Sequence, residues 1–226
     1  MDRDHDLHVR SLACQRGDHL VFRDLTFTLQ PGRALHLHGP NGSGKTSLLR
    51  ILAGLLTPAA GDIDWPLPDG RMGGNPVLLR ERCHYAAHAL ALKPTLTLAD
   101  NLRFWVRFMG GRHQDVARAL DAFDLADLAR LPARYLSSGQ QRRASLARLL
   151  LASRPLWLLD EPTVGLDSAS RIRLDRVVTR HLEDGGMVLA ATHQPLGFAD
   201  TALDLAAYAA PTAGCNPEAA DMTLPV

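Results

Sequence analysis

GPNGSGKT, residues 39–46, decides how the rest of the chain is read. It fits G-x-x-x-x-G-K-[S/T] and stands between the alternating stretch ALHLH at 34–38 and the helix-spaced run TSLLRILAGLL at 46–56. That strand-to-helix setting is what the pattern requires. Gly39, Gly42 and Gly44 let the main chain turn tightly around Pro40, Asn41 and Ser43, so that backbone N–H groups reach phosphate oxygens. Lys45 brings a full positive charge to the β- and γ-phosphates and Thr46 offers a hydroxyl to Mg²⁺, with Ser47 beside them at the helix start. The bland alternative is a glycine-rich turn with a surface lysine, which a match of this length in this slot disfavours. The stretch implies nucleotide binding.

A second signal follows downstream. LWLLDE at 156–161 is an apolar strand ending in two carboxylates, and the C-terminal ends of strands line the ligand crevice of an open α/β sheet. Asp160 is expected to hold Mg²⁺, through water, and Glu161 to polarise the attacking water as general base. Asp-Glu before Pro162 could by itself simply cap a helix; the phosphate loop upstream reverses that preference.

Outward from these two points, residues 7–13, 20–22 and 25–29 read as short antiparallel strands, with a tight connection at Arg23-Asp24. Gln30-Pro31-Gly32 turns the chain into the strand at 34–38, and 62–65 reads as another strand before a Pro/Gly-rich loop at 66–76. Helical patterns occupy 98–108, 115–131 (Val116, Leu120, Phe123 and Leu128 on one side) and 140–152. Residues 156–159 and 187–191 suit buried parallel strands, with a helix at 171–182 between them. The expected fold is therefore α/β: a phosphate-loop NTPase core over residues 1–205, an N-terminal antiparallel β subdomain, and a helical subdomain inserted at about 88–145. An alanine-rich tail, 206–226, reads as irregular.

Composition narrows the partners. Of 226 residues, 46% are hydrophobic and the formal net charge is +1, which gives no electrostatic case for nucleic acid. The charged start MDRDHDLHVR does not read as a secretory signal, and no uninterrupted apolar run is long enough for a membrane helix. Cys14, Cys83 and Cys215 are scattered, with neither a disulfide framework nor zinc spacing.

A third motif points to a family. LSSGQQRR, residues 136–143, resembles the signature motif of ATP-binding-cassette (ABC) proteins, with Ser138 where a glycine is usual. Ser137, Ser138, Gly139 and Gln140 open a helix, where hydroxyls and N–H groups can cap a phosphate. TVGLD at 163–167 resembles the family's D-loop, ending in Asp167, and Thr192-His193-Gln194 its switch segment, with His193 toward the γ-phosphate. The resemblance covers about residues 5–205. It implies an ATPase using ATP and Mg²⁺ with Lys45, Glu161 and His193 at the chemistry, and a head-to-tail dimer in which each phosphate loop faces the partner's signature. Two positions depart from the family. His88 stands where a Q-loop glutamine is expected; a neutral imidazole can accept from water or ligate the metal. Arg16 stands where an aromatic would stack on adenine, and it either stacks by its guanidinium or is a solvated loop arginine.

Within the family, YAAH at 85–88, LSSGQQRRASLARL at 136–149, LWLLDEP at 156–162 and THQPL at 192–196 resemble the ATP-binding subunits of cytochrome c maturation systems. What that implies is a peripheral subunit on the cytoplasmic face of a bacterial inner membrane, working with integral membrane subunits to power heme export or release of a heme-loaded chaperone. The alternatives are another small-substrate ABC transporter or a soluble non-transport ABC ATPase. The ten histidines do not imply a direct heme site, since there is no C-x-x-C-H motif.

Overall fold

The computed structural model describes residues 5–66 and 75–210. Two sheets organise it. The first is antiparallel, built from β1 (Leu7–Arg16), β2 (His19–Leu29) and β4 (Ala60–Asp64) in the order β2-β1-β4. The second is parallel throughout, built from β3 (Ala34–His38), β5 (Cys83–Ala86), β6 (Leu156–Asp160), β7 (Met187–Ala191) and β8 (Thr201–Asp204) in the order β5-β6-β7-β3-β8.

The central strands β6 and β7 are buried along their whole length, and the period-2 geometry of a strand sends their side chains into two different cores. Leu156 and Leu158 of β6 join Leu189 of β7 beneath the antiparallel sheet, packing with Leu48, Leu49 and Leu52 of α1 (Lys45–Leu52). Trp157 and Leu159 face the other way with Val188, toward Leu102 of α3 (Leu98–Met109), Leu120 of α4 (Asp115–Ala122), Leu146 of α5 (Ser138–Ala147) and Leu174 of α6 (Ser168–Glu183). A sheet buried on both faces explains why these strands read as continuous apolar runs.

Register positions the site. Leu37 of β3 pairs with Ala191 of β7, and Ala191 pairs with Asp160 of β6. Three neighbouring strands therefore end side by side, and the segments that leave them carry the phosphate loop, Glu161 and His193.

Several boundaries differ from the expectation. Arg23-Asp24 is not a connection between strands: β2 runs unbroken through it, and Asp24, with φ 56°, sits at a register irregularity of the β1–β2 ladder. The helix expected over 115–131 stops at Ala122, because Asp124 takes a left-handed φ of 55° and a 3₁₀ turn at Ala126–Leu128 follows. Most of the loop expected at 66–76 lies outside the described residues, and α2 (Pro76–Arg82) begins at its end, capped by Asn75. The tail expected as irregular, 206–226, begins inside a 3₁₀ turn, Leu205–Tyr208, and Ala209 bridges to Phe22; residues 211–226 lie outside the described residues.

Candidate functional site

The loop 39–46 wraps the start of α1. Gly44 is the N-cap, with φ 97°, and a Cβ there would stand 2.7 Å from Phe22 and 2.8 Å from Val21 of β2. Only glycine satisfies both the left-handed backbone and the close approach. Lys45 is buried, and its ammonium donates to the carbonyls of Gly39 at 2.7 Å and Pro40 at 3.0 Å, which holds the charge across the mouth of the loop. The Ser43 hydroxyl is buried with no hydrogen-bond partner among the described residues. A phosphate oxygen is the kind of group that would satisfy it.

Thr46 donates its hydroxyl to Asp160, 3.0 Å from Oδ2 and 3.2 Å from Oδ1. Tyr85 of β5 donates to the same Oδ2 at 3.3 Å. Burial raises the Tyr85 pKa, and the Asp160 charge raises it further, so the phenol stays a donor. Glu161 follows Asp160 with a left-handed φ of 49°, and its N–H donates to the Ala191 carbonyl at 2.7 Å. Across from it, His193 Nε2 lies 3.1 Å from Asn41 Oδ1 and 3.7 Å from Glu161 Oε1. His36 of β3 steadies the base of that switch segment through the Thr192 carbonyl at 2.8 Å.

Asn41, Lys45, Thr46, Asp160, Glu161 and His193 line one cleft of about 440 Å³, with Gly42, Ser47, Arg16 and His88 also on its walls. Both departures from the family pattern therefore face the same space as Lys45 and Glu161. A larger cleft of about 1080 Å³ lies elsewhere, between Arg118 and His181. There the arginines are largely engaged: Arg112 and Arg118 with Asp115, and Arg173 with Asp124.

The signature segment is not brought into its own chain's cleft. Ser137 caps α5 through a capping box, accepting from the Gln140 N–H at 3.2 Å while Gln140 Oε1 accepts from the Ser137 N–H at 2.8 Å. Ser138 is exposed at the first helical position and Gly139 follows it, where N–H groups have no intrahelical acceptor. Asp167 likewise caps α6, accepting from the Ser170 N–H at 2.7 Å, and hydrogen bonds from Ser170 hold its carboxyl below the usual range. A Cβ on Gly139 would stand 3.4 Å from the Gly165 carbonyl. Signature and D-loop thus lie beside one another on the surface, facing outward rather than inward.

Sequence reasoning missed two groups. Tyr85 and the buried Arg142 were visible only inside the family patterns YAAH and LSSGQQRR, with no role of their own. Arg142 donates to the carbonyls of Ala87, Asp160 and Glu161, partners that only the fold assembles.

Comparison with known proteins agrees with this geometry. The ABC transporter family matches residues 22–164. The cytochrome c biogenesis ATP-binding export protein CcmA of Brucella abortus (strain 2308) is 48% identical over 192 residues, covering 85% of this chain and 87% of that one. Its namesake in Rhodopseudomonas palustris (strain BisB5) is 50% identical over 203 residues, covering 90% and 99%. Among solved structures, a putative ABC transporter ATP-binding protein from Pyrococcus furiosus superimposes with a TM-score of 0.79 at 25% identity, over 91% of this chain and 100% of that one. A dimeric ATP-binding cassette bound to ADP and Pi shares the fold, with a TM-score of 0.76 at 22% identity over 88% and 93%. With the loop 39–46, the acidic pair and His193 gathered where three neighbouring inner strands end, and with these relatives matched over most of its length, the chain belongs to the ABC transporter family as an ATP-binding domain.

Proposed function

We propose that this chain is the ATP-hydrolysing subunit of an export complex serving cytochrome c biogenesis, powering heme export or the release of a heme-loaded chaperone. The observation that carries the reading is its 48% to 51% identity to export proteins named for that process, over most of their length. No helix among the described residues is long and apolar enough to cross a membrane. As the ATP-binding part of such an export complex, the subunit would join integral membrane partners peripherally, at the cytoplasmic face of the inner membrane.

In this reading the loop N–H groups and Lys45 bind the β- and γ-phosphates, and Arg16 stands where adenine would lie. The donor set at Thr46 and Asp160, one hydroxyl and one carboxylate, suits a hard cation that takes its remaining ligands from phosphate and water. Mg²⁺ held there would neutralise charge on the transferring phosphoryl group. Glu161 orients water in line with the γ-phosphorus and accepts its proton, and His193 donates to the γ-phosphate. Ser138 and Gly139 of a second copy complete the grip from the far side, with Asp167 at the same seam.

The test is to purify the chain with its native membrane partners and record the absorption spectrum of the complex as ATP is added. A heme spectrum that changes on turnover is expected. A complex that turns over ATP, carries no heme and holds a different ligand would replace heme with that ligand.

A further inference from the structure

Arg142 stands on α5, one turn in from Ser138 and Gly139, and is 5% exposed. Its Nη1 donates to the Ala87 carbonyl at 3.1 Å, in the segment that carries His88. Its Nη2 donates to the carbonyls of Asp160 at 3.2 Å and Glu161 at 2.5 Å. A planar fork with fixed donor directions can hold such carbonyls together, which a single ammonium cannot do in the same way.

What it grips is a strained residue. Glu161 has the left-handed φ of 49° that residues with a side chain rarely adopt, and such strain persists only where the surroundings over-determine it. Three contacts do so here. On one side the Glu161 N–H donates to the Ala191 carbonyl of β7; on the other its carbonyl accepts from Arg142 and, at 3.3 Å, from the Val164 N–H. With its backbone pinned at both ends, the carboxylate is directed into the cleft, 3.7 Å from His193. Burial lowers the Arg142 pKa, while the Asp160 and Glu161 charges act in the opposite sense and favour the guanidinium cation.

We infer that Arg142 is a positioning residue for hydrolysis: it holds Glu161 in its left-handed pose and ties that pose to α5, the helix that opens with the signature serine. The inference rests on Glu161 being the general base. Movement of the signature helix would then be felt at the base of the same chain, through one side chain.

The test compares Arg142→Met and Arg142→Lys with wild type in the membrane-bound complex, measuring ATP affinity, kcat and, with radiolabelled ATP, single-turnover rates. For Arg142→Met, affinity within about twofold of wild type is expected, with kcat reduced about tenfold or more, part of the roughly 10²–10⁴-fold a positioned base contributes. Arg142→Lys, which keeps charge and loses the fork, is expected to fall between. Because Arg142 acts through Glu161, adding Arg142→Met to Glu161→Gln should slow the single turnover no further. If Glu161→Gln hydrolyses ATP at the wild-type rate, the base assignment is wrong and this inference goes with it. If Glu161→Gln is slow but Arg142→Met keeps wild-type kcat, or multiplies the Glu161→Gln defect, the positioning role alone is overturned. A parallel loss of affinity and kcat would mark Arg142 as merely structural, which also overturns it. Should Arg142→Met fail to fold, Arg142→Lys decides: reduced kcat at unchanged affinity supports the role, and wild-type kcat overturns it.

Discussion

Lys45 is buried, and its ammonium is satisfied by two carbonyls of its own loop. The charge is thus pre-placed over the amides that the glycines expose, and little side-chain freedom is left to lose when a phosphate arrives. Lys45→Ala should weaken ATP binding at least about tenfold, since a hydrogen bond to a charged group contributes roughly 1.5–3 kcal/mol. Titration with a fluorescent ATP analogue reads this directly, and undiminished affinity would contradict the role given to the loop. Residues of this kind were legible from sequence because the chemistry is local: Gly39 to Thr46 are contiguous, and Asp160 and Glu161 adjoin. Tyr85 and Arg142 were not, because each matters for what it touches across the fold. Arg142 meets Glu161 through a backbone carbonyl, and a carbonyl has no letter in the sequence.

Elements show the same division. β6 and β7 were legible as apolar runs bounded by breakers, since burial on both faces leaves little room for polar residues. β5, the four residues CHYA, offers no such run and exists because β6 supplies its hydrogen bonds. Asp24 and Asp124 misled in opposite ways: each adopts the left-handed conformation, one inside a strand that continues and the other where a helix ends. β5, β6 and α6 also meet in a buried stack. Trp157 lies flat on His181, centroids 3.8 Å apart, with His84 edge-on at 6.4 Å. Burial pushes both histidines down to about 4, well under the unfolded value of about 6.5. Both rings are neutral in the native state near pH 7, and between about 6.5 and 4 the unfolded chain binds protons that the native chain refuses. Stability should therefore be complete above pH 6.5 and decline as pH falls toward 4. The urea midpoint measured from pH 7 to 5 checks this. A shallower decline is expected in His181→Phe, which has one titrating ring fewer, and a flat wild-type profile would contradict the burial argument.

In the whole molecule, the residues proposed to grip phosphate from a second copy do not line the cleft that holds Lys45 and Glu161. Lys45, Thr46, Glu161 and His193 line one cleft, while Ser138, Gly139 and Asp167 face outward on another surface. That separation follows from topology: the phosphate loop and Glu161 leave the C-terminal ends of parallel strands, whereas the signature opens α5, one of the helices that come between β5 and β6 in the chain. The sequence resemblance implied a site shared between two chains, and in the proposed mechanism a second copy would bring its Ser138 and Gly139 to the phosphate loop. The most direct test mixes two inactive chains, one carrying Lys45→Ala and the other Ser138→Arg, and measures ATP hydrolysis by the mixture. If each site is built from one chain's phosphate loop and the other's signature, mixed dimers hold one intact site and the mixture regains activity that neither chain has alone. A mixture as inactive as its components would contradict a site shared between two chains.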